Sequence, residues 1–312
     1  MSYYETLSHW ASHALKAGWA WRVARLGLIV LTVVAPAQGG VAGPTEEPVL
    51  TRSTWSGKLA EGATLRVVNP FGNIRVRFGG WEGQAEVLAT VQSLTDTAPA
   101  HELAVEESAE VVSVAVGYPA GTMAAAAGGQ GTATGRVDLV VFLPAGRPLE
   151  ARTGAGLLEC RGLRSDLSLT SASGDVNVKA TLGAVDVRTG EGRISLVLEA
   201  DASRAAQVLE SESGEITVYI PENADLRVQA ATSGEICTEY SLDVEHRAGT
   251  EPGKLATAVI GKAASELVMQ SRRGRIRLLQ RPMAGTTPDE APAGAGQAIE
   301  RKGHDQEDDI AG

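Results

Sequence analysis

Cysteines, aromatic residues and long apolar runs are all scarce in this sequence of 312 residues. Two cysteines are too few for a small domain held together by several disulfides. Acidic residues outnumber basic ones by 38 to 28, which excludes a basic nucleic-acid-binding protein. Apart from one stretch near the N-terminus, no apolar run approaches the roughly 20 residues of a membrane-spanning helix, so a multi-span membrane protein is excluded as well.

The first 37 residues have the pattern of a secretory signal peptide. Basic residues between positions 16 and 25 precede the apolar stretch 26–34, and Ala35-Pro36-Ala37 provides a small-x-small cleavage site. We therefore predict that residues 1–37 are removed and that the protein is exported to the periplasm, the cell envelope or the medium. If the segment is not cleaved, it would instead be an N-terminal anchor.

The segment 282–312 is rich in proline, glycine, alanine and acidic side chains. It contains seven acidic residues against Arg301 and Lys302. Such a composition cannot bury enough apolar surface to offset the entropy lost on ordering. The sequence therefore predicts a disordered acidic tail after the folded region.

A short phrase recurs through the middle of the chain: glycine, any residue, an aliphatic residue, any residue, and a second aliphatic. Its glycines are Gly72, Gly156, Gly174, Gly192, Gly214, Gly234 and Gly274. Between Gly156 and Gly234 they are 18, 18, 22 and 20 residues apart. Alternation with period two predicts short strands with one apolar face. Glycine is expected at the turns because it adopts positive φ without penalty.

The nearly constant spacing favours a β-solenoid over a sandwich, because each coil of a solenoid stacks the same apolar positions on its neighbour. We predict an all-β chain with an irregular N-terminal β region at 49–150 and regular coils of 18–22 residues at 151–281. If the coils stack in chain order, Cys160 and Cys237 lie four coils apart. That separation exceeds the reach of a disulfide, so both thiols are predicted to be free.

The order of these elements resembles a known family. It consists of Val-Asn-Pro-Phe-Gly-Asn-Ile-Arg-Val at 68–76, Gly-Trp at 80–81, Val-Phe-Leu-Pro at 141–144, the serial Ser-Gly-Asp/Glu copies, and the closing phrase at 267–278. Together they are similar to the bacterial putative-adhesin β-strand-repeat family, which is related to the head-GIN auto-transporter adhesins. The resemblance covers roughly residues 50–280. It implies a β-solenoid in an exported or envelope-associated protein and supplies no catalytic residues.

The residues that follow the repeat glycines are the most suggestive chemically. They are Asn73, Leu157, Asp175, Arg193, Glu215, Glu235 and Arg275. Stacked carboxylates at the edge of a solenoid would suit Ca²⁺, which prefers clustered oxygen ligands. However, an arginine interrupts the column and the Gly-Gly-x-Gly-x-Asp repeat of calcium-binding β-rolls is absent. We expect a solvated edge whose opposite charges neutralise each other, with no metal and no cofactor.

Motifs of known enzymes are incomplete in this chain. His101-Glu102 begins a zinc-protease phrase, but the second histidine is missing, so no pair of metal ligands forms. Gly253-Lys254 and Gly261-Lys262 imitate the end of a P-loop without its Ser or Thr. We therefore predict no catalytic residues.

A carbohydrate-active parallel β-helix enzyme, acting on envelope or extracellular polysaccharide, is the alternative. Such enzymes need paired carboxylates and usually aromatic platforms. The acids available are Asp166, Asp175, Asp186 and Glu215. Few aromatic residues occur in the regular coils, which favours a non-enzymatic, adhesin-like binding or structural module at the cell envelope. Its partner would be an unidentified envelope or surface component and not nucleic acid, with membrane contact only through an uncleaved N-terminal segment.

Overall fold

Every regular element in a computed structural model, which describes residues 49–93, 101–118, 135–199 and 205–281, is a β-strand. The all-β class predicted from the sequence is confirmed. The chain divides into two units after Arg281, and all described residues belong to the first. The predicted signal peptide and acidic tail lie outside the described residues. Within those residues there is no helix with the length and hydropathy needed to cross a membrane.

Two sheets enclose one hydrophobic core. Sheet A contains β1 (Val49–Lys58), β3 (Ile74–Phe78), β4 (Gln84–Ser93), β7 (Gly135–Leu143), β9 (Leu158–Arg161), β11 (Val176–Thr181), β13 (Ile194–Leu198), β15 (Ile216–Ile220), β17 (Ile236–Thr238) and β21 (Ile276–Gln280). Sheet B contains β2 (Thr64–Phe71), β5 (Glu102–Glu107), β6 (Val111–Gly117), β8 (Leu149–Ala155), β10 (Leu167–Ser171), β12 (Val185–Thr189), β14 (Gln207–Ser211), β16 (Leu226–Thr232), β18 (Asp243–His246), β19 (Lys254–Ile260) and β20 (Ser265–Ser271).

Each regular coil contributes one strand to each sheet. Strands β8, β10, β12 and β14 pair in parallel in sheet B, and β9, β11, β13 and β15 do so in sheet A. Alternate aliphatic side chains, among them Val176, Val178, Ile194 and Leu196, point into the core and are buried. Parallel pairing of consecutive coils over a shared core is the β-solenoid arrangement, so that prediction is also confirmed.

The coils do not stack in chain order. The last coil, β20 and β21, lies between the β14–β15 coil and the β16–β17 coil, with parallel neighbours on both sides in each sheet. The expected order is therefore wrong at this end of the solenoid. The connection is made by β19, which pairs antiparallel with β16. From β19 the chain leads into β20, which lies between β14 and β16.

The irregular N-terminal region contains a regular coil. Strand β2 pairs in parallel with β8, and β3 with β9, so the coil of Gly72 stacks directly on the coil of Gly156. Beyond it, β6 and β7 add one more parallel strand to each sheet. Strands β5, β4 and β1 then pair antiparallel at this end. The stacking is thus continuous across residue 150, and only the connectivity changes there.

Both cysteines are free, as predicted. Cys160 is fully buried in β9, and this burial raises the pKa of its thiol. Cys237 lies in the edge strand β17 and is partly exposed. Because the last coil is inserted, the two cysteines are five strands apart in sheet A rather than four, a separation of about 24 Å at the usual strand spacing.

Candidate interaction surface

The turns that join the two sheets form two edges along the solenoid. At the first, which we call the glycine edge, the chain passes from sheet B to sheet A of the same coil through a repeat glycine. The seven glycines form one column in the order Gly72, Gly156, Gly174, Gly192, Gly214, Gly274 and Gly234. From Gly156 to Gly274, a Cβ atom added at any of these glycines would overlap the carbonyl group of the preceding glycine in the column.

The reason for glycine differs from the predicted one at most of these positions. Gly72 and Gly156 have φ values of 129° and 132°, which L side chains rarely adopt. The other five glycines have no positive φ, so the expectation of positive φ is wrong for them. There, glycine is required because the backbone of the adjacent coil occupies the space of a side chain.

A column of buried hydroxyl groups stabilises the glycine edge and is not part of the recognised phrase. Ser171 Oγ accepts the N–H of Gly174 at 2.9 Å, three residues later. Ser271 Oγ accepts the N–H of Gly274 at 2.9 Å and donates to the carbonyl of Gly214 in the neighbouring coil at 3.0 Å. These bonds satisfy backbone groups that would otherwise be buried without a partner. The signal in the sequence is the residue three positions before the glycine, which is Thr153, Ser171, Thr189, Ser211 and Ser271 in successive coils.

The residues after the glycines alternate in charge once the coils are in their true order. Along the edge this column reads Asp175, Arg193, Glu215, Arg275 and Glu235. Arg193 Nη2 lies 2.8 Å from Asp175 Oδ2. Arg275 Nε lies 2.9 Å from Glu235 Oε2, and its Nη1 lies 3.9 Å from Glu215 Oε2. If the coils were stacked in chain order, Glu235 would follow Glu215 directly in this column. Because the last coil is inserted between their coils, Arg275 lies between the two glutamates.

These ion pairs occupy the carboxylates that were considered as calcium ligands. Asp175 Oδ1 also accepts the backbone N–H of Arg193 at 2.9 Å, just as Asn73 Oδ1 accepts that of Leu157 at 2.8 Å. Across the described ranges, no three His, Cys, Asp or Glu side chains are grouped so that they could hold a metal ion. The charged side chains of the glycine edge therefore neutralise one another in ion pairs, and these pairs join successive coils.

Replacing Asp175 by Asn tests the charged part of this column, because Asn73 shows that an amide oxygen can accept the same N–H. Partial burial opposes ionisation of Asp175, but the side-chain and backbone N–H groups of Arg193 outweigh it and lower the pKa of the carboxyl. The pKa is thus lower in the folded than in the unfolded state. The stabilisation is present above about pH 4, the ordinary Asp range, and is lost as the pH falls through the folded pKa.

We expect Asp175→Asn to lower the free energy of unfolding at pH 7 by less than about 1 kcal/mol, since the pair is solvent-exposed. Below the folded pKa of Asp175 the difference from wild type should vanish, because both side chains are then neutral. Urea unfolding at the two pH values measures this. Glu222→Gln, at an exposed acid, is the control and should change neither value. An equal loss from Asp175→Asn at both pH values would contradict the ion-pair account.

At the second edge, where the sheet A strands end, aromatic and basic side chains gather near β3 and β9. We call this set the cation–aromatic patch; it consists of Phe78, Trp81, Arg147, Arg161, Arg164 and Lys179. Trp81 is 80% exposed and Phe78 52% exposed. The guanidinium carbon of Arg164 lies 6.0 Å from the centre of the Phe78 ring, within the range of a cation–π contact.

Hydrogen bonds between successive turns hold the patch together. Gly146 N–H donates to the carbonyl of Arg164 at 3.0 Å, and Gly162 N–H donates to that of Lys179 at 3.1 Å. Arg161 and Lys179 are direct partners in the register of β9 and β11. Arg147 lies in the turn beside Gly146, and its Nε is buried with no hydrogen-bond partner in the part of the chain that the structure describes.

The cations of this patch differ from most arginines on the rest of the described surface in having no acidic partner. Arg66 pairs with Glu150 at 2.7 Å, and Arg188 reaches both Asp186 and Glu210 at 3.0 Å. By contrast, no ion pair with an acid is formed, among the described residues, by the four cations Arg147, Arg161, Arg164 and Lys179. The patch therefore carries four cations whose charge no acid in the described part of the chain compensates through an ion pair.

The regular coils match a known family. Residues 145–277 match Toastrack DUF4097. The comparison with curated proteins gives no significant match. Among solved structures, the crystal structure of a putative cell adhesion protein from Clostridium sporogenes is similar to 75% of this chain and 100% of that chain, with 14% sequence identity and a TM-score of 0.45. The match of residues 145–277 to this family confirms the β-strand-repeat family indicated by the sequence.

Proposed function

We propose that the chain is an exported, non-enzymatic β-solenoid that acts as an adhesin-like binding module at the bacterial cell envelope. The observation that supports a binding role is the cation–aromatic patch. Exposed aromatic rings beside unpaired arginines are characteristic of the centres of protein interaction sites. A coil that served only to extend the solenoid would not need exposed aromatic rings, because its apolar side chains are buried against the neighbouring coils.

The proposal of export is supported by the sequence of residues 1–37. A basic segment, a short apolar stretch and a small-x-small site are the parts of a secretory signal. A rigid array of coils is also suited to presenting a surface outside the cell, since each coil is fixed by its neighbours.

The carboxylates that would serve the alternative enzyme are engaged in structural contacts. Asp186 Oδ2 lies 3.0 Å from Arg188 Nη2, and Asp166 Oδ1 accepts the N–H of Ala184 at 2.9 Å. Asp175 has a lowered pKa, whereas a general acid needs a raised one. These contacts favour a binding module over a glycoside-cleaving enzyme.

Two measurements on the full chain test this function. Fused to a reporter that is active only outside the cytoplasm, the chain should give activity, and deletion of residues 1–37 should abolish it. The purified chain should also sediment with isolated bacterial envelopes and release no sugar fragments from them. A chain that stays in the cytosol, remains in the supernatant or releases fragments would overturn the proposal.

A further inference from the structure

We infer that the cation–aromatic patch binds an acidic polysaccharide chain, with sugar rings on Trp81 and Phe78 and the anionic groups on the adjacent cations. This inference rests on the proposed function of the chain as a binding module. It names the ligand class and the residues that would recognise it.

The first argument is the row of like charges on the outer face of sheet A. Arg77, Arg161 and Lys179 follow one another in direct register on β3, β9 and β11. Neighbouring strands are about 4.8 Å apart, and like charges in register on adjacent strands destabilise a sheet. Glu159 neutralises Arg77 at 2.9 Å but leaves Arg161 and Lys179 uncompensated. A ligand with regularly spaced anions would relieve this repulsion.

The second argument is the exposure of two aromatic side chains at and just after the end of β3. Phe78 ends β3, and Trp81 lies in the turn that follows. Both present a ring to solvent, although large apolar side chains are usually buried. The C–H face of a sugar ring is apolar and would cover these rings. The carboxylate or sulfate groups of the same chain would then reach Arg164, which already contacts Phe78.

The third argument distinguishes an acidic polysaccharide from an anionic membrane. Insertion into a membrane requires a broad apolar surface, and this patch has two aromatic rings on a line of charges. A linear row of cations along the solenoid axis matches an extended polymer better than a plane of lipids.

Binding of the purified full chain to four probes tests the inference by isothermal titration calorimetry. The probes are polygalacturonate, dextran, polyglutamate, and vesicles of phosphatidylcholine with phosphatidylglycerol. We expect binding to polygalacturonate that weakens as salt is added, because the contacts are largely ionic. Dextran lacks the anions and polyglutamate lacks the rings, so both should bind at least about tenfold more weakly, a difference of about 1.4 kcal/mol.

Variants assign the binding to the patch. Arg161→Gln combined with Lys179→Gln should weaken polygalacturonate binding about tenfold or more, and Trp81→Ala should weaken it several-fold. Arg227→Gln combined with Lys262→Gln removes the same charge from exposed cations far from the patch, on β16 of sheet B and in the turn between β19 and β20. This matched control should leave the affinity within about twofold of wild type.

Four outcomes would overturn the inference. Equal binding of polyglutamate and polygalacturonate would indicate charge attraction alone, and Trp81-dependent binding to vesicles without glycan binding would indicate a membrane. Equal losses in the patch and control variants would place the site elsewhere. If the chain sediments with envelopes but binds no acidic glycan, the inference fails and the proposed function stands. If it does not sediment with envelopes, the proposed function itself fails.

Discussion

Replacing Ile276 by Asp is expected to lower the free energy of unfolding by about 4 kcal/mol or more, because the new carboxylate would be buried without a partner. Ile276 is fully buried in β21. This strand pairs with β15 on one side and β17 on the other, so it is an interior strand although it is the last in the described chain. Urea unfolding followed by circular dichroism measures the loss.

Ile236→Asp is the matched comparison, since Ile236 and Ile276 are direct partners in the register of β17 and β21. Strand β17 lies at the edge of sheet A, and Ile236 is partly exposed. We expect this variant to lose only about 1–2 kcal/mol. Stacking in chain order would reverse the two effects, because Ile276 would then be terminal and Ile236 interior. Equal or reversed losses would contradict the inserted coil.

The coils could be predicted from the sequence because their signals are local, whereas the order of the coils could not. Alternating aliphatic residues and a turn glycine lie within a few positions of one another in each copy. Which copy lies beside Gly214 depends on pairing across tens of residues, and the phrases at Gly234 and Gly274 both fit there. The information is present in the charges, because Glu235 stacked directly on Glu215 would place like charges together. Arg275 between them turns that repulsion into two attractions.

The cation–aromatic patch was hidden from sequence reasoning for a similar reason. Phe78 and Arg164 are far apart in the chain and meet only because β3 stacks on β9. The scarcity of aromatic residues in the regular coils argues against sugar stacking only if the N-terminal region is separate from the array. Because β2 and β3 form a coil of the same solenoid, Phe78 and Trp81 lie at its edge. The predicted signal peptide and acidic tail stay predictions.

Gly192→Ala is expected to lower the free energy of unfolding by about 3 kcal/mol, because the added Cβ would overlap the carbonyl group of Gly174. The obstacle is backbone, so it can move away only by distorting the parallel pairing of β11 and β13. In an unstrained position the same substitution would stabilise a protein by about 0.4–1 kcal/mol, through the lower entropy of the unfolded chain. The predicted sign is therefore opposite to the usual one.

Substitutions at two further glycines distinguish the effect of a close backbone neighbour from the effect of a positive φ on the free energy of unfolding. At Gly253 the nearest atom to an added Cβ is 3.6 Å away and φ is not positive, so Gly253→Ala should be neutral or slightly stabilising. At Gly146 the space is open but φ is 70°, so Gly146→Ala should lose about 1 kcal/mol through conformation alone. Urea unfolding of the three variants should rank Gly192 as the most damaging. A neutral Gly192→Ala would mean that the coils can separate enough to admit a methyl group, and the glycine column would then not be required for stacking.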